Sequence, residues 1–477
     1  MMVGRYHEIA ILQEALISTE AEMIAVVGRR RVGKTFLVRT VYSKIDFELV
    51  GVPKASLAEQ LQNFSIQLRS LLPDVDHYPR PSSWLEAFNL LTGALEQQEL
   101  TGKQILFFDE LPWLASPRSG FLEALGYFWN SWASKKNVIV VISGSAASWM
   151  IRKVIHHKGG LHNRITKRIY LHPFTLAETE EYLLSSAIHL DRYQILLLYM
   201  CMGGVPHYLK EIKQGMSAIQ LINNICFSAQ GLLFDEFDKL YPSLFDRPQQ
   251  HIAIVRALAS KAKGMTHEEI ARQSSVSSGG TLSTILDELI QSGFISTSGP
   301  LQKKKKDTLF RLTDQYSLFY LRFIEGHSGR EVKDNSFFQT QQWITWTGYA
   351  FENIAISHVG QIKDALQISG MFSVQGSYVV KAKESQPGIQ LDFLIDRSDQ
   401  TINICEAKFY NTEYEVASGD AKLLRNKVSI FRQASKTRKH IFLTLITTFG
   451  MKSNQHSVGL IDQVITMDDL FTPSKSR

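Results

Sequence analysis

Three patterns place this chain in the α/β class, with several domains. From the N-terminus to about residue 170, short apolar runs alternate with amphipathic stretches, the mark of a parallel sheet covered by helices on both faces. A wholly helical stretch follows, then three helix-like segments with two short β-prone pieces, and from about residue 340 a strand-rich block. At 477 residues the chain is about three times the length of a typical ~150-residue domain.

In order, Met23–Val27, Ile105–Phe108 and Val138–Ile142 read as buried strands, each bounded by turn residues or charge. Ser56–Leu72 and Ser82–Gln98 have helical spacing between them, so residues 1–174 form a parallel-sheet core. Residues 175–245 lose the strands and read as a small helical lid. Helices at Gln249–Ser260, Thr266–Gln273 and Gly279–Ser292 precede the β-prone pieces Phe294–Ser296 and Leu309–Leu312. Three helices and a two-stranded wing give residues 246–325 the winged-helix order; Asp314–Glu325 reads as a connecting helix. Residues 340–477 open with a helix at Trp346–Val359, then strands at Phe372–Val380, Gln390–Asp396 and Thr401–Ala407, a helix at Asp420–Ala434 and the strand His440–Thr447.

Apolar residues make up 44% and charged residues 21%, which excludes a largely disordered or collagenous chain. Net charge is 52 − 46 = +6, too mild to demonstrate a nucleic-acid partner. Cys201, Cys226 and Cys405 lie far apart, so neither a zinc ribbon nor a disulfide framework is expected. The first residues contain no apolar core of signal-peptide length, and no apolar run approaches the ~18–20 residues of a membrane span. A cytoplasmic protein without membrane contact is expected.

Gly28-Arg29-Arg30-Arg31-Val32-Gly33-Lys34-Thr35 satisfies GxxxxGK[ST] directly after the first strand. Glycines let the backbone wrap phosphates, its N–H groups point inward, and the next helix turns its N-terminus to the negative charge. Lys34 is expected at the β/γ-phosphates of ATP and the Thr35 hydroxyl on Mg²⁺. The second strand ends in Asp109-Glu110, at the strand end where open α/β sheets bind ligands. Asp109 would hold Mg²⁺ through its water shell, and Glu110 would polarise the attacking water. The third strand ends in Ser143-Gly144-Ser145, which either senses the γ-phosphate or is plain turn chemistry.

At these residues the chain resembles the AAA+-related P-loop ATPases, in particular the archaeal-type clade near the signal-transducing STAND and origin-recognition ATPases. Val3-Gly4-Arg5-Tyr6-His7-Glu8 is similar to that clade's opening hhGRxxE box, placed near the adenine. His162-Asn163-Arg164 resembles the position of an arginine that reaches a neighbour's γ-phosphate, with Arg168 a competitor for the role. Gly203-Gly204-Val205-Pro206 resembles the Gly-x-Pro lid motif, whose proline packs on the nucleotide. The resemblance covers about residues 2–240 and implies an oligomeric ATPase. His156, His157 and His162 form no metal set, because no acid or cysteine lies at ligand spacing.

A DNA-reading helix offers Arg, Lys, Asn or Gln to base edges. Gly279–Ser292 instead offers Thr281, Ser283, Thr284 and Gln291, with Asp287 and Glu288 opposing phosphate. The expectation is therefore DNA binding with little sequence specificity, through Lys303–Lys306 with Lys261, Lys263 and Arg272. Alternatively the module packs on the ATPase lid and reports nucleotide state.

In the last block, Asp392 lies on one strand, and Glu406 and Lys408 lie two apart on the next, on one face. An acid followed by acid-x-Lys suits metal-assisted phosphodiester hydrolysis: the carboxylates hold Mg²⁺, while the lysine steadies developing charge. Glu352 on the preceding helix is a third candidate ligand. These residues resemble the PD-(D/E)xK restriction-endonuclease-like superfamily, with Leu391 where a proline is usual. The resemblance implies Mg²⁺, or Mn²⁺, at Glu352, Asp392 and Glu406. The leading expectation is an ATP-driven protein acting on DNA with a nuclease-like effector. The competing one is a nucleotide-dependent signalling switch that binds a partner without cutting.

Overall fold

The structure is a computed structural model, describing residues 2–72, 79–98, 102–156, 161, 163–299, 308–327, 338–380 and 388–473. Lys303–Lys306, His157 and His162 lie outside the described residues. Packing divides the chain into two units, Met1–Pro173 and Phe174–Arg477.

The first unit is built on five strands: β1 Glu22–Val27, β2 Phe47–Val50, β3 Gln104–Asp109, β4 Val138–Gly144 and β5 Lys167–Tyr170. They lie in the order β2-β3-β4-β1-β5, all parallel. Along β1 the side chains alternate between two cores. Met23, Ala25 and Val27 join one apolar cluster, while Ile24 and Val26 join another. That division is why β1, β3 and β4 are apolar without interruption: both of their faces are under helices. One face is filled largely by aromatic rings, with Trp84 edge-on to Phe121 at 4.7 Å and Phe88 stacked on Phe128 at 5.0 Å. The helices Leu57–Leu68 and Trp84–Glu96 start where Ser56 and Ser83 accept backbone N–H groups at their N-termini. Strands β2 and β5, absent from the sequence reading, are four-residue edges with exposed alternate positions.

The second unit begins with short helices, among them Leu176–Ser185 and Arg192–Met202. Helices Pro248–Ala259, His267–Ser274 and Gly280–Gln291 follow, then the antiparallel pair β6 Ile295–Ser298 and β7 Leu309–Leu312. Phe310 also bridges to Met265. The connecting segment is the helix Gln315–Phe319, continued through a π-turn at Tyr320–Ile324.

Beyond it, the helix Gln341–Ser357 leads to a second sheet. Its strands are β8 Ser373–Val380, β9 Ile389–Arg397, β10 Thr401–Lys408, β12 His440–Thr447 and β14 Gln463–Ile465, with the two-residue pieces β11 Tyr414–Glu415 and β13 Met451–Lys452 pairing apart. The order is β14-β12-β10-β9-β8, with β8, β9 and β10 antiparallel and β10, β12 and β14 parallel. One apolar cluster runs from Phe174 to Phe471, so the expected lid, three-helix piece and C-terminal block share a core. None of the described helices is long and apolar enough to cross a membrane.

Candidate functional site: a nucleotide loop and an acidic cluster

Between β1 and the helix Lys34–Val41, the loop has the backbone its glycines predict. Gly33 has φ +97°, and a Cβ on Gly28 would fall onto the Leu171 carbonyl. Arg31 also has positive φ, 73°. Val32 and Arg29 are buried, so Val32 presents only its backbone to a ligand, whereas the Arg30 side chain is exposed. Arg5 of the opening box is buried and donates to the carbonyls of Val32 and His172, tying the loop to the segment after β5.

Lys34 is buried, and its ammonium donates to the Gly28 carbonyl (2.9 Å), the Arg29 carbonyl (3.2 Å) and Ser145 Oγ (2.9 Å). Burial pulls its pKa down, and the charges of Glu110 and Asp109 oppose that pull. Thr35 Oγ1 donates to Asp109 Oδ2 at 2.6 Å, while Asp109 Oδ1 accepts from Ser143 Oγ and from the Glu110 amide (2.9 Å). Glu110 sits in the left-handed region, φ 51°, ahead of the short helix Leu111–Leu114. Its carboxylate accepts from the Ser145 hydroxyl and from the Ser145 amide at 3.1 Å. The structure thus brings Lys34, Thr35, Asp109 and Glu110 together at the ends of β1, β3 and β4. It also shows that Ser143 and Ser145 hold the acids, whereas the sequence suggested only phosphate sensing or a turn.

A hydroxyl in contact with a buried carboxylate suits Mg²⁺, which takes few protein oxygens and keeps several waters. Thr35 and Asp109 therefore fit that ion. Arg164 lies in the turn before β5 and donates to Asn130 at 2.5 Å; Arg168 is exposed on β5 itself. Pro206 belongs to the second unit, at the first turn of Pro206–Leu209. The preceding Gly204 touches the Phe174 backbone so closely that no Cβ fits, and its carbonyl accepts the Phe174 amide at 2.7 Å.

The second unit contains the other candidate site. Asp392 on β9 accepts the Ala407 amide of β10 at 2.9 Å. Glu352 and Glu406, both buried, are each pushed up to about 7, first by burial and next by the charge of Asp392. The three acids therefore share one electrostatic neighbourhood, and the Lys408 charge also acts on Glu406. Two partners were not read from sequence. Arg311 of β7 pairs with Glu352 at 2.8 Å, and Lys427 reaches both oxygens of Glu406 at 2.6 and 2.7 Å. Among the described residues no three His, Cys, Asp or Glu side chains are gathered as a metal site. The fit to Mg²⁺ or Mn²⁺ is thus partial: the donors have the right chemistry, but two of the three carboxylates hold internal cations. No local motif signals Lys427, which stands on the helix Ser418–Ser435, 21 residues from Glu406.

Residues 2–212 match the sequence profile of a family described as an ATPase domain predominantly from Archaea, so this segment is an archaeal-type ATPase domain. An uncharacterised protein of Methanocaldococcus jannaschii is 23% identical over 364 residues, 74% of this chain and 76% of its own length. The solved Walker-type ATPase of Pyrococcus abyssi is 19% identical, with a TM-score of 0.50 over 67% of this chain and 96% of that one. It shares the fold. A Signal Transduction ATPase with Numerous Domains from Pyrococcus horikoshii is 13% identical over 77% of this chain and 50% of its own, with a TM-score of 0.30.

Proposed function

We propose that this chain is a Mg²⁺-dependent ATPase whose nucleotide cycle drives a C-terminal domain acting on DNA. The observation that carries the ATPase part is the contact of Thr35 with Asp109 beside the Lys34–Ser145–Glu110 chain. Lys34, Thr35, Asp109 and Glu110, the groups in-line phosphoryl transfer asks of a single subunit, lie together at the ends of β1, β3 and β4. Thr35 and Asp109 would hold Mg²⁺, which would supply neutralisation of the phosphate charge. Lys34 exchanges its own loop's carbonyls for phosphate oxygens, which return more charge to a buried ammonium than carbonyl dipoles do. Glu110 orients and polarises water, and the Ser145 amide and hydroxyl fix its carboxylate. Arg164, or else Arg168, acts on a neighbouring copy, and Pro206 packs on the nucleotide.

Residues 246–325 form a winged-helix module with little base-reading chemistry. Residues 340–477 are a restriction-endonuclease-like domain. The grouping of Glu352 and Glu406 around Asp392 supports metal-assisted phosphodiester cleavage there, with Lys408 steadying the charge. The pairing of Arg311 and Lys427 with two of these acids supports the other reading, a switch whose domain binds without cutting.

Lys34→Ala is expected to weaken ATP binding, and Glu110→Gln to keep binding but lose turnover. Binding is measured by nucleotide titration and turnover by phosphate release with Mg²⁺ or EDTA. Normal hydrolysis in both variants removes the ATPase reading. Asp392→Ala is expected to abolish Mg²⁺-dependent DNA cutting while leaving hydrolysis intact. A wild-type protein that hydrolyses ATP but cuts no DNA form moves the switch reading to first place.

A further inference from the structure

Within the second unit, a cavity of about 620 Å³ opens between the loop after the helix Pro248–Ala259 and the helix Gln341–Ser357. Arg256, Lys261, Lys263 and Arg322 line it together with Trp346 and Tyr349; among the described residues Glu325 is the one acid in the lining. A smaller cavity of about 250 Å³ also has Lys263 in its wall, together with Arg311 and Asp392. Lys263 thus stands where the basic, aromatic cleft meets the acidic cluster, and its charge favours the ionised form of Glu352. The loop is tied to β9 there. Gln390 donates to the Lys263 carbonyl at 3.1 Å, and Asp392 follows two residues along β9, on the same face.

From this we infer that the cleft is a track for single-stranded DNA, which delivers a phosphodiester past Lys263 to Asp392. The inference rests on the DNA-acting reading above and names its substrate form and path. Basic side chains that follow the phosphates, together with an aromatic face on which a base stacks, are the elements of sequence-tolerant single-strand binding. Tyr349 is 38% exposed, so its ring is open to a base, whereas Trp346 is buried against Phe319 and Phe323 and serves as the floor. The volume is enough for an unpaired nucleotide or two. Arg256 and Lys261 already pair with Glu325 (2.6 Å) and Glu269 (2.8 Å), but these are surface pairs, which are weak and readily exchanged for phosphate. The strand bypasses the helix Gly280–Gln291, whose exposed side chains suit DNA poorly.

The test is fluorescence anisotropy of a labelled oligo-dT with the full-length protein in EDTA, so that cutting plays no part, at several salt concentrations. The doubly substituted Lys263→Ala/Arg322→Ala protein is expected to bind more weakly, with the slope of log K against log salt shallower by about 1.4, the loss of two single-strand phosphate contacts. Tyr349→Ala is expected to lose about 5-fold or more in affinity with the slope unchanged, because stacking is not ionic. Hydrogen exchange of peptides covering Gln341–Ser357 and Thr401–Lys408 in the same samples stays at the wild-type level and shows that the second unit of the variants is folded. Wild-type affinity and slope in both variants overturn the inference, as does duplex binding with which oligo-dT fails to compete. Tighter binding of oligo-U than of oligo-dT reassigns the track to RNA and also overturns it. None of these outcomes touches the ATPase reading, which the Lys34 and Glu110 variants test separately.

Discussion

Lys427 holds the buried Glu406 carboxylate by both oxygens, so Lys427→Met probes how that acid is kept in the fold. Glu406 is 1% exposed and is pushed up to about 7 from an ordinary value of 4.5, by burial first and then by Asp392; Lys427 pulls the other way. A carboxyl whose pKa is higher in the folded than in the unfolded chain binds its proton more tightly when folded. Its stabilising contribution is complete below about pH 4.5 and is lost as pH rises to about 7. The loss accumulates at about 1.4 kcal/mol per pH unit, roughly 3 kcal/mol over the interval. Above pH 7 the wild-type curve levels, because Glu406 is then ionised both folded and unfolded.

Without the lysine, the buried carboxyl keeps its proton in the folded state to higher pH, and the variant goes on losing stability where the wild type no longer does. At pH 8.5 the gap between the two proteins is expected to exceed the gap at pH 6 by about 2 kcal/mol. The assay is hydrogen exchange of peptides covering Thr401–Lys408 across a guanidinium series with EDTA present, which reads the opening of this sheet and not of the other unit. In a Glu406→Gln background the lysine substitution should lose its pH dependence. A gap that is constant from pH 6 to 8.5, or one that persists unchanged in the glutamine background, refutes the reasoning.

Two further outcomes are expected. Arg164→Ala should bind ATP normally and hydrolyse it slower by on the order of 10³-fold, with partial rescue on mixing with Lys34→Ala protein; steady-state phosphate release checks both, and absence of rescue in mixed oligomers moves the test to Arg168. Gly28→Ala places a methyl group on the Leu171 carbonyl, so the first unit should lose about 1–3 kcal/mol and melt a few degrees lower, with weaker ATP binding; differential scanning calorimetry and nucleotide titration measure these.

How much of this was legible in the sequence follows from which interactions are local. Strands β1, β3 and β4 are buried on both faces and stood out as unbroken apolar runs, whereas β2 and β5 are four-residue edges whose exposed alternate positions erase that signal. Lys34, Thr35, Asp109 and Glu110 were readable because each lies within a residue or two of the strand end or turn that aims it. What braces them was readable only in part or not at all. Ser145 lies 35 residues from Glu110, and Arg5 lies 167 residues from the His172 carbonyl it holds. The same limit governs the C-terminal acids. Asp392, Glu406 and Lys408 follow the period of two strands, but Arg311 and Lys427 reach the cluster from a hairpin and a helix that only the tertiary fold brings near. Those two cations are also what separates a site ready for metal from one held closed. The acids alone match the pattern of a metal-assisted site, whereas with their partners any ligand that engages them must first displace an internal ion pair. Because breaking a buried pair costs several kcal/mol when nothing replaces the lost charge, the displacing ligand must bring positive charge to Glu406. A divalent cation would do so and a DNA phosphate would not, so whatever replaces Lys427 at Glu406 has to be cationic.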